Sequence, residues 1–292
     1  MPPTHPGTGR RRPADRLLTV LTCPLCPADL AHADGALRCA DRHTFDIARH
    51  GYVSLLTGHR RAASADSAGM VRSRASFLRA GHYDPLARTL AELATELAPP
   101  DATVLDAGAG TGHYLAAVLD ALPDALGLGL DSSAAALRAA ARAHARGEAA
   151  GWDVWRPWPV RTGCAHLVLN VFAPRNGPEF HRVLRPDGAL LVVTPTDRHL
   201  RELHDSIGLL AVDPRKEERL RRTLEAHFAH DRTEPLEYVM RLTAGDIAAL
   251  VAMSPTAHHV GATELGRRVA GLETPVRVTA SFVVSVYRPT AH

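Results

Sequence analysis

The sequence predicts an α/β protein, a mostly parallel sheet wrapped by helices, with a small metal-clipped module ahead of it. Three observations carry that expectation. Apolar runs of strand length alternate with helical stretches from about Thr103 onward, the pattern of a parallel sheet. One strand–turn–helix, "TVLDAGAGTGHYLAAVLDAL", carries three alternating glycines behind an acidic residue. Well before it, "CPLC" at Cys23–Cys26 is followed by Cys39 and His43. At 292 residues the chain suits one small module plus a larger one. The expected division is a disordered tail over 1–18, a zinc-binding module over 19–57, a linker and helices over 58–98, and the α/β domain over 99–292.

Composition narrows the class. Apolar residues make up 46% and charged residues 22%, ordinary for a globular protein. No apolar run approaches the roughly 18 residues that a membrane helix requires, so no membrane partner is expected. The Pro- and Arg-rich start lacks the apolar centre of a signal peptide, and a cytoplasmic address follows by default. The net charge of +3 is too small to argue for nucleic-acid binding alone. Lys216 is the only lysine, and the basic residues gather around Arg60–Arg61, around Arg72, Arg74 and Arg79, and around Arg215–Arg222. Each cluster reads as a solvated helix face or, through bidentate guanidinium forks, as a phosphate-binding surface.

The N-terminal spacing is C-x2-C-x12-C-x3-H. Each short knuckle points two ligands at one centre, and the intervening residues bring the second pair back, here through a hairpin turned at Asp34–Gly35. Four ligands fill a tetrahedron, so Cys23, Cys26, Cys39 and His43 predict a structural Zn2+ site. A disulfide is disfavoured in a chain without a secretory signal. Cys164, flanked by small residues before an apolar run, reads as a buried structural thiol.

From Asp66 to Leu97 the pattern is helical, broken at "AGHYD" around Gly81. The strand Thr103–Leu105 then meets Asp106, Gly108, Gly110 and Gly112, glycines that let the backbone turn sharply and let a ligand approach it. The plan repeats in "LGLGLDSSAAALRAAARAHA", whose strand ends in Asp131, placed to accept ribose hydroxyls. "HLVLNVFAP" is a further strand, "EFHRVLRPDGALLVVTP" a helix, a turn at Pro186–Gly188 and a strand. "PLEYVMRLT" and "VRVTASFVVSVYRP" predict an antiparallel closing pair.

The G-x-G-x-G spacing behind Asp106 resembles motif I of class I S-adenosylmethionine-dependent methyltransferases, which implies a Rossmann-like, seven-stranded mixed sheet. The order of parts, "CPLC…C…RHTFDIARHGYVSLL", "DSAGMVRSRASFLRAGHYDPL", the glycine loop, "NVFAPRN", "TPTDRHLRELHDSIGLL" and "LVAMSP", resembles the 23S ribosomal RNA guanine-N1 methyltransferases from Leu21 to Pro289. "NVFAPRN" looks most like their actinobacterial branch, associated with macrolide resistance. The resemblance implies methyl transfer from S-adenosylmethionine to N1 of a guanine in a domain II hairpin of 23S rRNA. It also implies RNA recognition by the zinc module, and a homodimer sharing a basic cleft. A small-molecule methyltransferase that keeps the zinc module, and a non-catalytic RNA-binding protein, stand as alternatives.

On this reading Asp106 and the backbone of Gly108 to Gly112 contact the methionine part of the donor, and Asp131 its ribose. Asp153 either reads the adenine amine or is a solvated loop carboxylate. Asn170, at the strand end beside the donor's methyl and counted among the cofactor-binding residues, orients the base or the departing proton, or caps its own strand. Phe172 stacks on the base or belongs to the core, and His113 reads as an exposed neighbour of the helix cap. One departure is visible: where family members carry a tryptophan after "MSP", this chain has His258 and His259.

Overall fold

The computed structural model describes residues 15–56, 65–207, 222–254 and 262–291. The first element, α1 (Asp15–Leu18), is a single helical turn whose Leu17 is buried, while Arg16 donates to the Asp124 and Asp101 carbonyls. The last four residues of the expected tail are therefore ordered. An apolar side chain with a ready pocket outweighs the polar composition around it.

The zinc module follows as a three-stranded antiparallel sheet, β1 (Ala31–Ala33), β2 (Ala36–Arg38) and β3 (Thr44–Asp46). Asp34 and Gly35 turn the hairpin with φ of 45° and 80°, the two left-handed positions that a type I′ turn demands. A short fourth strand, β4 (Val53–Ser54), leaves this module and pairs in parallel with β7 (Gly147–Gly151).

Two helices, α2 (Ala68–Arg79) and α3 (Asp84–Leu97), come next, separated at Gly81 as the sequence predicts. Ser67 caps α2 by accepting from the Met70 amide. Both helices bury apolar faces, including Phe77, Leu86 and Leu90, in the main core. The remaining elements alternate: β5 (Thr103–Ala107), α4 (His113–Ala121), β6 (Leu126–Asp131), α5 (Ala134–Ala140), β7, β8 (Ala165–Val171), α6 (Gly177–Val183), β9 (Leu184–Pro195) and α7 (Arg201–Ile207). The chain closes with β10 (Phe228–Leu242), α8 (Ala244–Ala252), α9 (Ala262–Ala270) and β11 (Val276–Pro289).

The large sheet has the order β10-β11-β9-β8-β5-β6-β7-β4. All its pairings are parallel except β10 with β11 and β11 with β9, as expected for an antiparallel closing pair. It holds eight strands where seven were predicted, because β4 of the zinc module extends the β7 edge. The predicted turn at Pro186–Gly188 is a bulge within β9: Ala165 faces Leu184 and Leu167 faces Ala189. The chain order reverses at β5, which has β6 on one side and β8 on the other. In such sheets ligands bind beyond the strand ends at that reversal.

Candidate active site and metal centre

The metal centre is built by two backbone knuckles. At the first, the Cys23 amide donates to the Ala28 carbonyl and the Leu25 amide to Cys23 Sγ. At the second, Arg42 turns with φ of 65°, and the Cys39 and His43 main chains bond each other. His43 Nδ1 lies 3.5, 3.3 and 3.4 Å from the sulfurs of Cys23, Cys26 and Cys39, and the last two sulfurs are 3.5 Å apart. Zn–S bonds of about 2.3 Å and Zn–N bonds of about 2.0–2.1 Å give a tetrahedron with edges of about 3.5–3.8 Å. The four separations just given are close to those edges, and all four ligand atoms lie within 4.8 Å of one another. Cys164 takes no part; its thiol donates to the Arg161 carbonyl, and burial pushes its pKa up to about 11.

At the sheet's reversal point, β5 ends beneath a loop held by its own amides. Gly108 and Ala109 donate to the Leu130 carbonyl, and Gly110 donates to Asp131 Oδ2 at 2.9 Å. Ser133 donates to Asp131 Oδ1 at 2.7 Å, so the carboxylate is oriented by both loops and each oxygen retains a lone pair. Gly108 and Gly112 have φ of 84° and 77°, and no side chain fits either. A Cβ on Gly108 would sit 2.6 Å from that of Ala173, and one on Gly112 2.9 Å from the Ala140 Cα. Asp106 is 2% exposed; burial, and then the Asp131 charge, raise its pKa to about 7. Asp131 is shifted upward too, by burial, against the two amides that favour its charged form.

Over this loop lies Arg74, which the sequence had grouped only by charge with Arg72 and Arg79. Arg74 of α2 is ion-paired with Asp66, donates to the Met253 carbonyl, and passes 3.5 Å from where a Gly110 Cβ would stand. Ser133 Oγ donates to the Asp66 carbonyl, so α2, α8 and the turn between β6 and α5 are fastened together.

At the last position of β8 but one, before the strand ends at Val171, Asn170 is 1% exposed. Its Nδ2 donates to the Pro174 carbonyl, which is the strand-cap arrangement, yet its Oδ1 is buried with no partner. Phe172, at φ of 55°, is 46% exposed and does not belong to the core; its ring stands near those of Tyr83, Tyr114 and Phe282. Asp153 follows β7, where Trp152 bonds the Asp131 carbonyl, and its Oδ1 accepts from the Trp155 amide. His113 is partly buried, unlike the exposed cap neighbour expected: its Nε2 is enclosed without a partner, and burial lowers its pKa. Asp106, Gly108, Gly110, Gly112 and Asp131 thus form one constellation, with Asn170 and Phe172 on the neighbouring strand and the four metal ligands in the N-terminal module. His258 and His259 lie outside the described residues, as do Arg60, Arg61 and Arg215 to Arg221.

Residues 21–62 match the family described as RlmA, N-terminal, a zinc ribbon. A protein of Streptomyces fradiae named 23S rRNA (guanine(748)-N(1))-methyltransferase is 48% identical, over 92% of this chain and 96% of its own length. A protein of Micromonospora griseorubida, carrying a 23S rRNA (guanine-N1)-methyltransferase name, is 49% identical over 94% and 98%. The chain belongs to the 23S rRNA (guanine-N1)-methyltransferase family. Among solved structures, the YcgJ protein of Bacillus subtilis matches with a TM-score of 0.49 and 13% identity over 70% of this chain and 98% of that one. A Geobacter sulfurreducens methyltransferase bound to S-adenosyl-L-homocysteine matches with a TM-score of 0.45 and 18% identity, over 70% and 91%. Like its family, this methyltransferase is a class I enzyme that uses S-adenosylmethionine and carries a structural zinc. Among the described residues no helix is long and apolar enough to cross a membrane.

Proposed function

We propose that this chain transfers a methyl group from S-adenosylmethionine to N1 of a guanine in 23S ribosomal RNA. The observation that carries the reading is near-end-to-end identity of 48–49% with proteins named for that reaction. The finer reading is a guanine in a domain II hairpin, modified in the cytoplasm by a homodimer, with macrolide-type resistance as the outcome.

The bound donor supplies an electrophilic methyl group on a sulfonium. Asp106 and the backbone of Gly108 to Gly112 would lie against its methionine part, Asp131 would hold its ribose hydroxyls, and Asp153, with its second oxygen, would hold its adenine amine. Supporting this are the orientation of Asp131 by two amides and a loop too tight for any side chain at Gly108 and Gly112. Asn170 offers its unused Oδ1 to an N–H of the guanine Watson–Crick edge, and Phe172 offers a ring face to the extruded base. The chemistry the donor would supply is an in-line displacement at its methyl carbon by guanine N1, whose proton would pass to solvent water; the residues here hold and orient the two partners. Positioning supplies most of the acceleration.

N1-methylguanine cannot form a Watson–Crick pair, so primer extension on 23S rRNA from cells expressing the chain is expected to stop one nucleotide before the target. Nucleoside mass spectrometry of the same RNA is expected to show added N1-methylguanine. Unchanged rRNA, with folded and zinc-loaded protein present, refutes the reading. Methylation of a small molecule instead supports the alternative acceptor.

A further inference from the structure

Next to Phe172 stands a hydrogen-bond pair that none of the roles above uses. Tyr83, between α2 and α3, is 4% exposed, and its hydroxyl lies 3.2 Å from His199 Nε2. On its other side His199 Nδ1 accepts the backbone N–H of Ser281, 3.2 Å away. A nitrogen that accepts carries no proton, so the neutral ring holds its single proton on Nε2. The ring is neutral: burial pushes its pKa down to about 3. His199 Nε2 therefore donates, and the Tyr83 oxygen accepts.

The tyrosine's own proton is then left over. It cannot return to His199, and among the described residues no other acceptor meets it. Burial, with a smaller push from Tyr238, raises the Tyr83 pKa far above its ordinary value, so the hydroxyl remains a donor at every working pH. A buried O–H that already accepts one hydrogen bond is also a stronger donor through it.

The surroundings tell where the proton can be used. The Tyr83 ring centroid is 6.3 Å from that of Phe172, the half-exposed aromatic two residues past Asn170. The Tyr83 ring also meets Phe282 edge-on with centroids 5.1 Å apart, and Phe282 in turn stands 5.5 Å from Phe172, so one aromatic group joins Tyr83 to the end of β8. Near Phe172 the site thus offers an unused donor, the Tyr83 hydroxyl, and an unused acceptor, Asn170 Oδ1. The Watson–Crick edge of guanine has the opposite pattern beside N1: an acceptor at O6 and N–H donors.

We propose that Tyr83 is a catalytic residue of this site, its hydroxyl, held by His199, donating a hydrogen bond to O6 of the target guanine. The inference rests on the guanine-N1 reading above. When N1 loses its proton to solvent water and its electron pair turns to the methyl carbon, negative charge spreads onto O6. A donor fixed there stabilises the transition state more than the neutral base. His199 is a positioning residue; it sets the direction of the hydroxyl and never touches the base.

Single-turnover and steady-state methylation of 23S rRNA fragments by the full zinc-loaded chain test this. Tyr83→Phe keeps the ring, and so the packing, while removing the donor. It is expected to lower kcat about 100-fold, the range seen when one such donor is deleted, with the donor Kd, the RNA KM and the melting temperature little changed. His199→Ala is expected to lose about tenfold in kcat, and His199→Gln, whose amide both donates and accepts, to recover most of it. In the Tyr83→Phe background His199→Ala should cost nothing further. A Tyr83→Phe enzyme with kcat within about threefold of the parent, a loss confined to donor Kd or RNA KM, or additive effects of the two substitutions would overturn the proposal. A parent enzyme that forms no N1-methylguanine refutes the guanine reading itself, and this inference with it; the other outcomes leave that reading intact.

Discussion

Asp106 is a carboxylate enclosed at the end of β5, and its physical situation makes a sharp demand. Burial raises its pKa to about 7, with Asp131 adding a like-charge push. In the unfolded chain an aspartate titrates near about 3.9. Between those values the folded state holds a proton that the unfolded state has released, so this group's contribution to stability is fully present below about pH 4 and is lost as the pH rises through about 7. A bound sulfonium has the opposite preference, since it favours the charged carboxylate. Donor affinity, measured by calorimetry, is therefore expected to climb with pH up to about 7 and then level, by about tenfold per unit on the acid side for one coupled proton. Asp106→Asn should flatten most of that slope, weaken donor binding, and raise the melting temperature at pH 8. An unchanged slope in the variant would exclude Asp106 as the linked group. This residue was legible in the sequence because its neighbours in space, the glycines, are also its neighbours in the chain. Tyr83 and His199 were not, since 116 positions separate two side chains whose meaning comes only from their contact. Arg74 was visible as one of three arginines, but its place over Gly110 depends on how α2 crosses the loop.

At the scale of elements, the β5–loop–α4 unit shows why local signals read so well here. Gly112 is the N-cap of α4 and combines a left-handed φ of 77° with close approach to Ala140 and Ala143 of the α5 end. A methyl group there meets backbone, which cannot move aside as a long side chain can. The strain of a positive φ, about 1–2 kcal/mol, adds to an overpacking cost of about 1–3 kcal/mol. Gly112→Ala is thus expected to lower the melting temperature by roughly 5–12 °C and to abolish measurable donor binding. A variant that melts and binds like the parent would contradict the geometry described for this turn. The hairpin at Asp34–Gly35, the helix break at Gly81 and the closing pair β10–β11 were legible for the same reason: turn chemistry and period are local properties. Strand count was not. Val53–Ser54 is too short to carry a period, and it becomes a strand only because the β7 edge offers it partners. The RPDG segment reads as a turn from composition, yet its flanks at Leu184 and Ala189 both pair with β8, which makes it a bulge.

Over the whole molecule the zinc module and the methyltransferase domain share one apolar interior, so the boundary drawn at residue 57 separates them in sequence but not in packing. Leu17, Leu21, Leu30, Leu37, Phe45, Ile47 and Leu55 pack in the same cluster as Leu105 of β5, Leu128 of β6, Trp158 and Phe180, and the ligands Cys23 and Cys39 belong to it. Main-chain bonds cross between them as well: Thr22 donates to Pro159, Arg161 to Val20, and Leu55 to Gly151. Arg161 adds an ion pair with Asp29 and a bond to the Thr19 carbonyl. The metal therefore does more than staple a small appendage. Structural zinc sites are worth about 10–16 kcal/mol of apparent binding free energy at neutral pH, comparable to the whole stability of a domain. Losing the ion is expected to unfasten Cys23 and Cys39 from the shared core that also holds Leu105 of β5 and Leu128 of β6. Scanning calorimetry of the zinc-loaded chain is expected to show one cooperative transition, moved to lower temperature as a unit by a chelator or by Cys39→Ser. Donor binding should weaken in the same titration, because β4 of the zinc module borders β7, the strand that leads into Asp153. A low-temperature transition of the module alone, followed by an unshifted second one that still binds donor, would show instead that the two halves are energetically separate.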